Sequence, residues 1–341
     1  MKVAVVVGGD SEERDISIAS GFQIAKALRS IAVETLMIDT ASGLLSAKDE
    51  VRLAKTGIGD TPPPTQVFSW LTFIDNVMTS PKLKDVDVYF LALHGGSGEN
   101  GTLQAFFDLI KKPYTGSGHL ASACAFDKAL SKKIMACHQI PTPDWILADP
   151  NHKEDIISLL GLPLIVKPNQ QGSTVGLSVV RNQAALSAAI HRAKQFDEAV
   201  IIEKFIAGRE ITAGVLDHQA LAVGEIVLPK DSEFDYQAKY QPGVVREIFP
   251  ADVTPKIAQQ AKRYAEVLHE ALGLYGYSRT DFRLDESGQL WCLEINSLPG
   301  MTQQSLLPQA ATASGISFAK LCLTICQLAQ KRFIGHHDEA L

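Results

Sequence analysis

Apolar positions along this chain fall into two patterns, and their alternation predicts an α/β layer followed by an α+β region. Lys2–Val7 is an apolar run ending in Gly8-Gly9, the pattern of a buried parallel strand and a tight turn. Ser17–Leu28 repeats its apolar residues at helical spacing, so the opening reads strand, loop, helix. Val86–Leu93 is a second apolar run; it ends in His94-Gly95-Gly96-Ser97-Gly98-Glu99 and leads into a helix over Leu103–Ile110. Strands that alternate with helices form an open layer with working loops at their C-terminal ends. Neither glycine loop is a dinucleotide fingerprint. GGDSEER lacks the G-x-G-x-x-G spacing and GGSGENG follows an internal strand, which argues against a Rossmann dehydrogenase.

From about Ser122 the pattern changes. A lysine-bearing helix over Asp127–His138 is closed by Pro141 and Pro143, and a strand over Leu164–Lys167 runs into the loop Pro168–Gly176. A strand over Ala199–Glu203 and the segment Lys204–Glu210 follow, then strands near Thr212–Val215 and Leu221–Val227 and a polar loop over Pro229–Pro242. The helix Pro255–Leu272 precedes a hairpin of Phe282–Leu284 and Leu290–Leu293, turned by Asp285-Glu286-Ser287-Gly288. A helix over Phe318–Lys331 closes the fold, and the tail Gly335–Leu341 is expected to fray.

Composition narrows the classes. The 341 residues are 46% hydrophobic, enough for two or three cores, and the net charge of −6 without a Lys/Arg block argues against a nucleic-acid partner. No apolar stretch approaches the ~18 residues of a membrane span, and no leader precedes the first strand, so a soluble cytoplasmic protein is expected. Five dispersed cysteines without C-x-x-C spacing suit buried thiols in a reducing compartment; Cys322 and Cys326 share a helix face as core.

Three constellations carry chemistry. Asp281 opens the first hairpin strand; Glu294 and Asn296 close the second, two apart and so on one face. Such a hard-oxygen set suits Mg²⁺, which takes one or two carboxylates and fills its shell with water and nucleotide phosphate; a polar hairpin end is the alternative. Gln171–Gly176, after the strand bearing Lys167, has two glycines and the hydroxyls of Ser173 and Thr174, a pattern for a phosphate cover or for a plain turn. Lys128 is a further candidate cation. Glu203-Lys204-Phe205-Ile206 joins an acid, a strand-edge backbone and two apolar residues, a set able to read an adenine amino group and sandwich its ring, with Glu210 placed for ribose hydroxyls.

The ordered set GGDSEERDIS, ALHGGSGENGT, PYTGSG, DKALSK, VKPNQQGSTVG, IIEKFIAGRE, FDYQAKY, SRTDFRL and LEINSLPGMTQQSLLP resembles the ATP-grasp superfamily, and within it the D-alanine–D-alanine ligases, over about residues 2 to 330. The resemblance implies a three-domain ATP-grasp fold of α/β and α+β parts: an N-terminal open α/β domain over 1–120, a central domain with the phosphate loop over 121–207, and a C-terminal domain with the metal site over 208–341. It implies ATP and two Mg²⁺ ions, with Mn²⁺ as a substitute, and a homodimer. By the same resemblance Glu13 holds the first D-alanine's ammonium and His94 lines that subsite. Lys128 and Lys167 neutralise the α- and β-phosphates, and Glu203, Lys204, Phe205, Ile206 and Glu210 hold adenosine. Lys239 reaches the transferring phosphoryl group, and Asp281, Glu294 and Asn296 carry the metals. Arg279 stabilises the oxyanion with help from the Gly300 amide. Ser305 and Leu306 receive the second carboxylate, and Ser173 with Tyr240 links Glu13 to the closing loop.

The implied reaction ligates two D-alanines for peptidoglycan precursors through an acyl phosphate. A D-alanyl ester or mixed dipeptide, with D-lactate or D-serine as acceptor, and a non-catalytic nucleotide-binding regulator are the alternatives. The chain departs from the family's pattern at Gly96-Ser97-Gly98, Asn100, Phe234 and Leu298, which bears on the second substrate.

Overall fold

The structure is a computed structural model that describes residues 1–55, 70–149, 153–227 and 246–338. The polar loop with Phe234, Lys239 and Tyr240 lies outside the described residues. Three sheets organise the rest.

The first sheet has strands β1 (Lys2–Val7), β2 (Glu34–Asp39), β3 (Gly43–Leu44) and β4 (Val88–Leu91) in the order β3-β2-β1-β4, with β1 parallel to both neighbours. Val3–Val7 are fully buried, as a continuous apolar run between helix-covered faces requires. The first helix spans Arg14–Ser30, starting before the expected Ser17. Its early start follows from Arg14, whose Nη2 donates to both Asp39 oxygens at 2.8 and 2.9 Å and pins the first turn to the end of β2. Gly8 has φ +102°, and a Cβ there would lie 2.2 Å from Arg14 Nη1, so glycine is required both by backbone and by space.

The second sheet is antiparallel: β5 (Trp145–Leu147), β6 (Leu164–Pro168), β7 (Ser178–Val180) and β8 (Val200–Lys204) in the order β5-β8-β6-β7. Its core joins Leu164, Val166 and Ile202 to Leu186 and Ile190 of the helix Gln183–Ala193, which starts where Asn182 accepts the Ala185 amide. The third sheet comprises β9 (Arg209–Leu216), β10 (Gln219–Val227), β11 (Arg246–Ile248), β12 (Tyr277–Leu284) and β13 (Leu290–Asn296) in the order β11-β10-β9-β12-β13, all antiparallel. The helix Pro255–Ala271, capped by Thr254 with Pro255 in its first turn, packs Ala261, Ala265 and Leu268 onto it.

The cores cross between sheets. Ala121, Ala125, Met135 and Ile140 enter the third sheet's core, while Leu298, Leu307, Leu321, Cys322 and Ile325 join that of the first sheet. Cys322 and Cys326 are buried core residues as expected, and burial raises both thiols; Cys137, against expectation, is exposed at a helix end. Among the described residues no single helix is long and apolar enough to cross a membrane.

One buried group ties this packing to pH. His269, on the helix Pro255–Ala271, makes a 2.7 Å hydrogen bond through Nδ1 with Ser278 Oγ of β12, and the His218 ring stands edge-on 5.6 Å away. Burial first, and His218 second, lower its pKa from 6.5 to about 4. Between those values the unfolded chain binds a proton that the folded chain does not, so stability rises with pH there and is lost as pH falls from about 6.5 toward 4. At one pKa unit per ~1.4 kcal/mol the loss is on the order of 3 kcal/mol. Denaturant titrations of wild type and His269→Asn across that range should show a shallower acid limb in the variant; parallel limbs would count against this assignment.

Candidate active site

The hairpin β12–β13 carries the expected oxygen set. Asp281 pairs with Glu294 and Arg279 with Asn296 across the ladder, at the end away from the turn. Asp281 does not open its strand: β12 begins at Tyr277, because Tyr277–Thr280 pair with β9, and Arg279 and Thr280 pair with β13 as well. Its carboxylate is buried and crowded with donors. Arg279 Nε donates to Oδ1 at 2.9 Å and Nη2 to Oδ2 at 2.7 Å, Thr212 Oγ1 donates to Oδ1 at 2.7 Å, and Asn296 Nδ2 to Oδ2 at 3.3 Å. Glu294 Oε2 lies 3.3 Å from Lys128 Nζ. Among the described residues no three His, Cys, Asp or Glu side chains gather at one point, so a cation here has two carboxylates and an amide. That donor set is hard and fits a divalent ion completed by water and phosphate oxygen, in competition with Arg279 and Lys128.

The glycine loop after β6 closes on the first sheet. Ser173 Oγ donates to Glu13 Oε1, across the interval between the first and second sheets. Glu13 ends the β1 loop at the start of the first helix, where Ser11 Oγ accepts its amide at 3.2 Å. A Cβ on Gly172 would lie 2.8 Å from Glu13 Oε2, and one on Gly95 would lie 3.0 Å from the same atom. Two glycines from different loops therefore wedge one carboxylate. Ser173 and Thr174 adopt φ of +48° and +61°, uncommon for residues with a Cβ, so the loop holds a left-handed bend.

His94 lies beside Glu13, fully inside the protein. Its Nδ1 faces the Leu298 carbonyl at 3.1 Å and must donate; Nε2 then accepts from Ser20 Oγ at 3.3 Å. Burial lowers its pKa, against the pull of Glu13 and the Leu298 carbonyl, so the ring is neutral. Glu99, which the sequence reading passed over, is also buried here; burial and then Glu13 push it up to about 7, while the Gly95 amide donates to it at 3.1 Å. Two departures from the family's pattern acquire roles. Ser97 donates through its amide (2.9 Å) and hydroxyl (2.5 Å) to Asp10, and Leu298 contributes its carbonyl while its side chain enters the core.

The lysines form a second layer. Lys128 Nζ donates to the Gln171 carbonyl at 2.5 Å, joining loop to hairpin, and its helix begins under an Asp127 cap with the Ala129 amide donating to Asn169. Glu203 is buried between two ammonium groups, Lys132 at 3.1 Å and Lys167 at 3.0 Å. Burial would raise its pKa, but the lysines outweigh it and lower it; Lys167 is raised by Glu203 and Glu294 against its own burial. The expected strand edge is not one. β8 is an interior strand, and the Lys204 and Phe205 amides already donate to the Asp144 and Pro163 carbonyls. Lys132 was legible only as the residue one helical turn after Lys128. Arg283, two after Asp281 and so on its face, was also missed; it lies 3.6 Å from Glu210 and donates to the Ile206 and Gly208 carbonyls.

These residues bound two cavities. The larger, about 730 Å³, is lined by Lys128, Lys167, Glu203–Ile206 and Glu210, with Ile165, Val179 and Leu293 as apolar walls. The smaller, about 200 Å³, is lined by Glu13, His94, Arg279, Asn296, Gly300, Ser305 and Leu306. Gly172, Ser173, Glu210, Asp281 and Glu294 border both. Ser305 precedes the helix Leu306–Ala313, whose start lines the small cavity, and it accepts the Thr302 amide at 3.1 Å.

Three sheets, a glycine loop closed on Glu13 and a carboxylate hairpin between two cavities make up the three-domain ATP-grasp fold. Family models described as the D-ala D-ala ligase N-terminus and C-terminus match residues 2–117 and 133–327. The D-alanine–D-alanine ligase of Pediococcus pentosaceus is 39% identical over 98% of this chain and 99% of its own; that of Syntrophotalea carbinolica is 38% identical over 94% and 93%. The crystal structure of the Bacillus anthracis D-alanine–D-alanine ligase complexed with ATP superposes with a TM-score of 0.77 at 30% identity, covering 98% of this chain and 99% of that one. The chain belongs to the D-alanine–D-alanine ligase family.

Gly172 gives a test of the wedge. Its backbone is open to alanine, so Gly172→Ala should fold normally, yet the methyl must displace the Glu13 carboxylate. The expected outcome is a KM for D-alanine raised roughly tenfold, the worth of ~1.4 kcal/mol, with the KM for ATP little changed. An unchanged D-alanine KM would show that Glu13 is not held in the conformation that matters.

Proposed function

We propose that the chain joins two D-alanines to D-alanyl-D-alanine at the expense of ATP, the larger cavity taking the nucleotide and the smaller both amino acids. The observation that carries this reading is the common border of the two cavities at Ser173, Asp281 and Glu294. A phosphoryl donor in one and a carboxylate acceptor in the other would meet there.

The apolar walls Ile165, Val179, Phe205, Ile206 and Leu293 suit a flat base, with Glu210 toward the ribose. Lys128 and Lys167 face the phosphates, and Lys239 is assigned to the transferring group. One D-alanine binds with its ammonium at Glu13, beside neutral His94. Its carboxylate oxygen attacks the γ-phosphorus, ADP leaves, and an acyl phosphate forms. The amine of the second D-alanine, held by its carboxylate at Ser305 and the Leu306 amide, attacks the carbonyl carbon. Arg279 and the Gly300 amide face the oxygen that becomes negative; collapse expels phosphate, and the nitrogen loses its extra proton. The Glu13–Ser173 contact supports a role for the loop as a cover, since an acyl phosphate open to water would hydrolyse. Tyr240 would extend that link. Asp281, Glu294 and Asn296 would hold Mg²⁺, one or two ions, which when bound screens phosphate charge and orients the displacement. The product is a peptidoglycan precursor.

With ATP, Mg²⁺ and D-alanine the purified protein should yield ADP, phosphate and D-alanyl-D-alanine in equal amounts by mass analysis. Phosphate release without dipeptide, or ester as the main product when D-lactate is added at equal concentration, would overturn the acceptor assignment. Glu294→Gln keeps the side-chain volume and removes one charged donor, so turnover should fall roughly a hundredfold while the fold persists. Retained turnover with a collapse of thermal stability would make Glu294 a structural residue.

A further inference from the structure

Lys132 has no part in the reaction as derived, yet it is the most deeply enclosed charged group of the nucleotide side. Its side chain has no solvent exposure, and it borders neither cavity. It sits on the helix Lys128–Cys137 one turn beyond Lys128, its ammonium donating to Thr142 Oγ1 at 2.5 Å and lying 3.1 Å from Glu203 Oε1. The other oxygen of Glu203 lies 3.0 Å from Lys167, which does border the larger cavity. A buried lysine is costly unless paired, and replacing such a group by a hydrocarbon is commonly neutral or favourable for stability alone. Stability is therefore a poor reason for this arrangement.

Charge gives a better one. Lys167 and Glu203 alone would form a neutral pair, and that part of the cavity wall would offer an anion little attraction. With Lys132 behind them, one carboxylate is shared by two ammonium groups, and the three together carry one net positive charge. We infer that Lys132 is a positioning residue that divides Glu203 between two lysines and so keeps the Lys167 ammonium available to polyphosphate. Lys132 acts without touching the nucleotide. The lowered pKa of Glu203, against its burial, agrees with a carboxylate held by two charges. This inference rests on the assignment of the larger cavity to ATP.

The test separates charge from shape by measuring binding directly, by calorimetry, for ATP, ADP and adenosine on the full chain. Lys132→Met replaces the ammonium with an apolar stem of similar reach. It should weaken ATP roughly tenfold, ADP less, and adenosine hardly at all, since a charge acting through a buried pair adds on the order of one decade. A merely structural lysine would weaken all three alike, and that outcome overturns the inference. The double variant Lys132→Met/Glu203→Gln removes one charge of each sign and leaves Lys167 alone with the same net charge. Its ratio of ATP to adenosine affinity should return to within about twofold of wild type, less than 1 kcal/mol at RT ln 2. This comparison with wild type stands even where the single variant does not fold, and a ratio that stays low in the double variant overturns the inference. Should wild type bind no nucleotide at all, the assignment of the cavity fails first and the inference with it.

Discussion

The contact between Glu13 and Ser173 joins parts of the chain that no sheet connects. Glu13 is fixed by the end of β1 and the start of the first helix; Ser173 is fixed by the loop after β6 in the second sheet. Because the loop also gives the Gln171 carbonyl to Lys128, and Lys128 reaches Glu294, a single chain of polar contacts runs from the first sheet through the second to the third. The carboxylate proposed to hold a substrate ammonium would thus also fasten the proposed cover, and substrate occupancy and loop closure would be coupled through one side chain.

Electrostatically the site is a set of matched pairs. Asp281 faces Arg279, Glu294 faces Lys128, Glu210 faces Arg283, and Glu203 faces two lysines. Buried charges demand such partners, but the same partners are the ones a triphosphate and its metal require. On the proposed reading ligand binding would exchange contacts: phosphate oxygens would take lysine and arginine donors, while carboxylates would turn to a cation. An exchange of like for like costs less than charging an apolar cleft, and it keeps the groups oriented beforehand. The small cavity follows a different rule. Burial lowers the His94 pKa and raises that of Glu99, so these two buried groups beside Glu13 are shifted toward their neutral forms.

Periodicity made most elements legible, since the β1 run, the first helix and the hairpin all bury the face their spacing indicates. Short strands such as β3, β5 and β7 escaped because two or three residues carry no period. For the site, residues that end strands or sit in glycine loops were readable because their chemistry is local: Asp281, Glu294 and Asn296 share a ladder end, as their spacing implies. What escaped was tertiary. Nothing near Glu203 in sequence shows that two lysines, one from a helix far upstream, close on it, and nothing near Thr212 shows that it donates to Asp281.

That difference has a physical basis in which atoms meet a ligand. A side chain that touches substrate must project from a strand end or loop, and such places leave marks in sequence: glycine, a turn, an acid between apolar runs. A side chain that acts through another has no such requirement. Lys132 occupies the buried face of an ordinary helix, among Ala129, Ser131 and Met135, where only its charge is out of place. A buried lysine at a helix position that periodicity assigns to the core is thus itself a signal. Its partner must be an acid brought by another element, and in this fold the strand that brings it, β8, also forms the wall of the larger cavity.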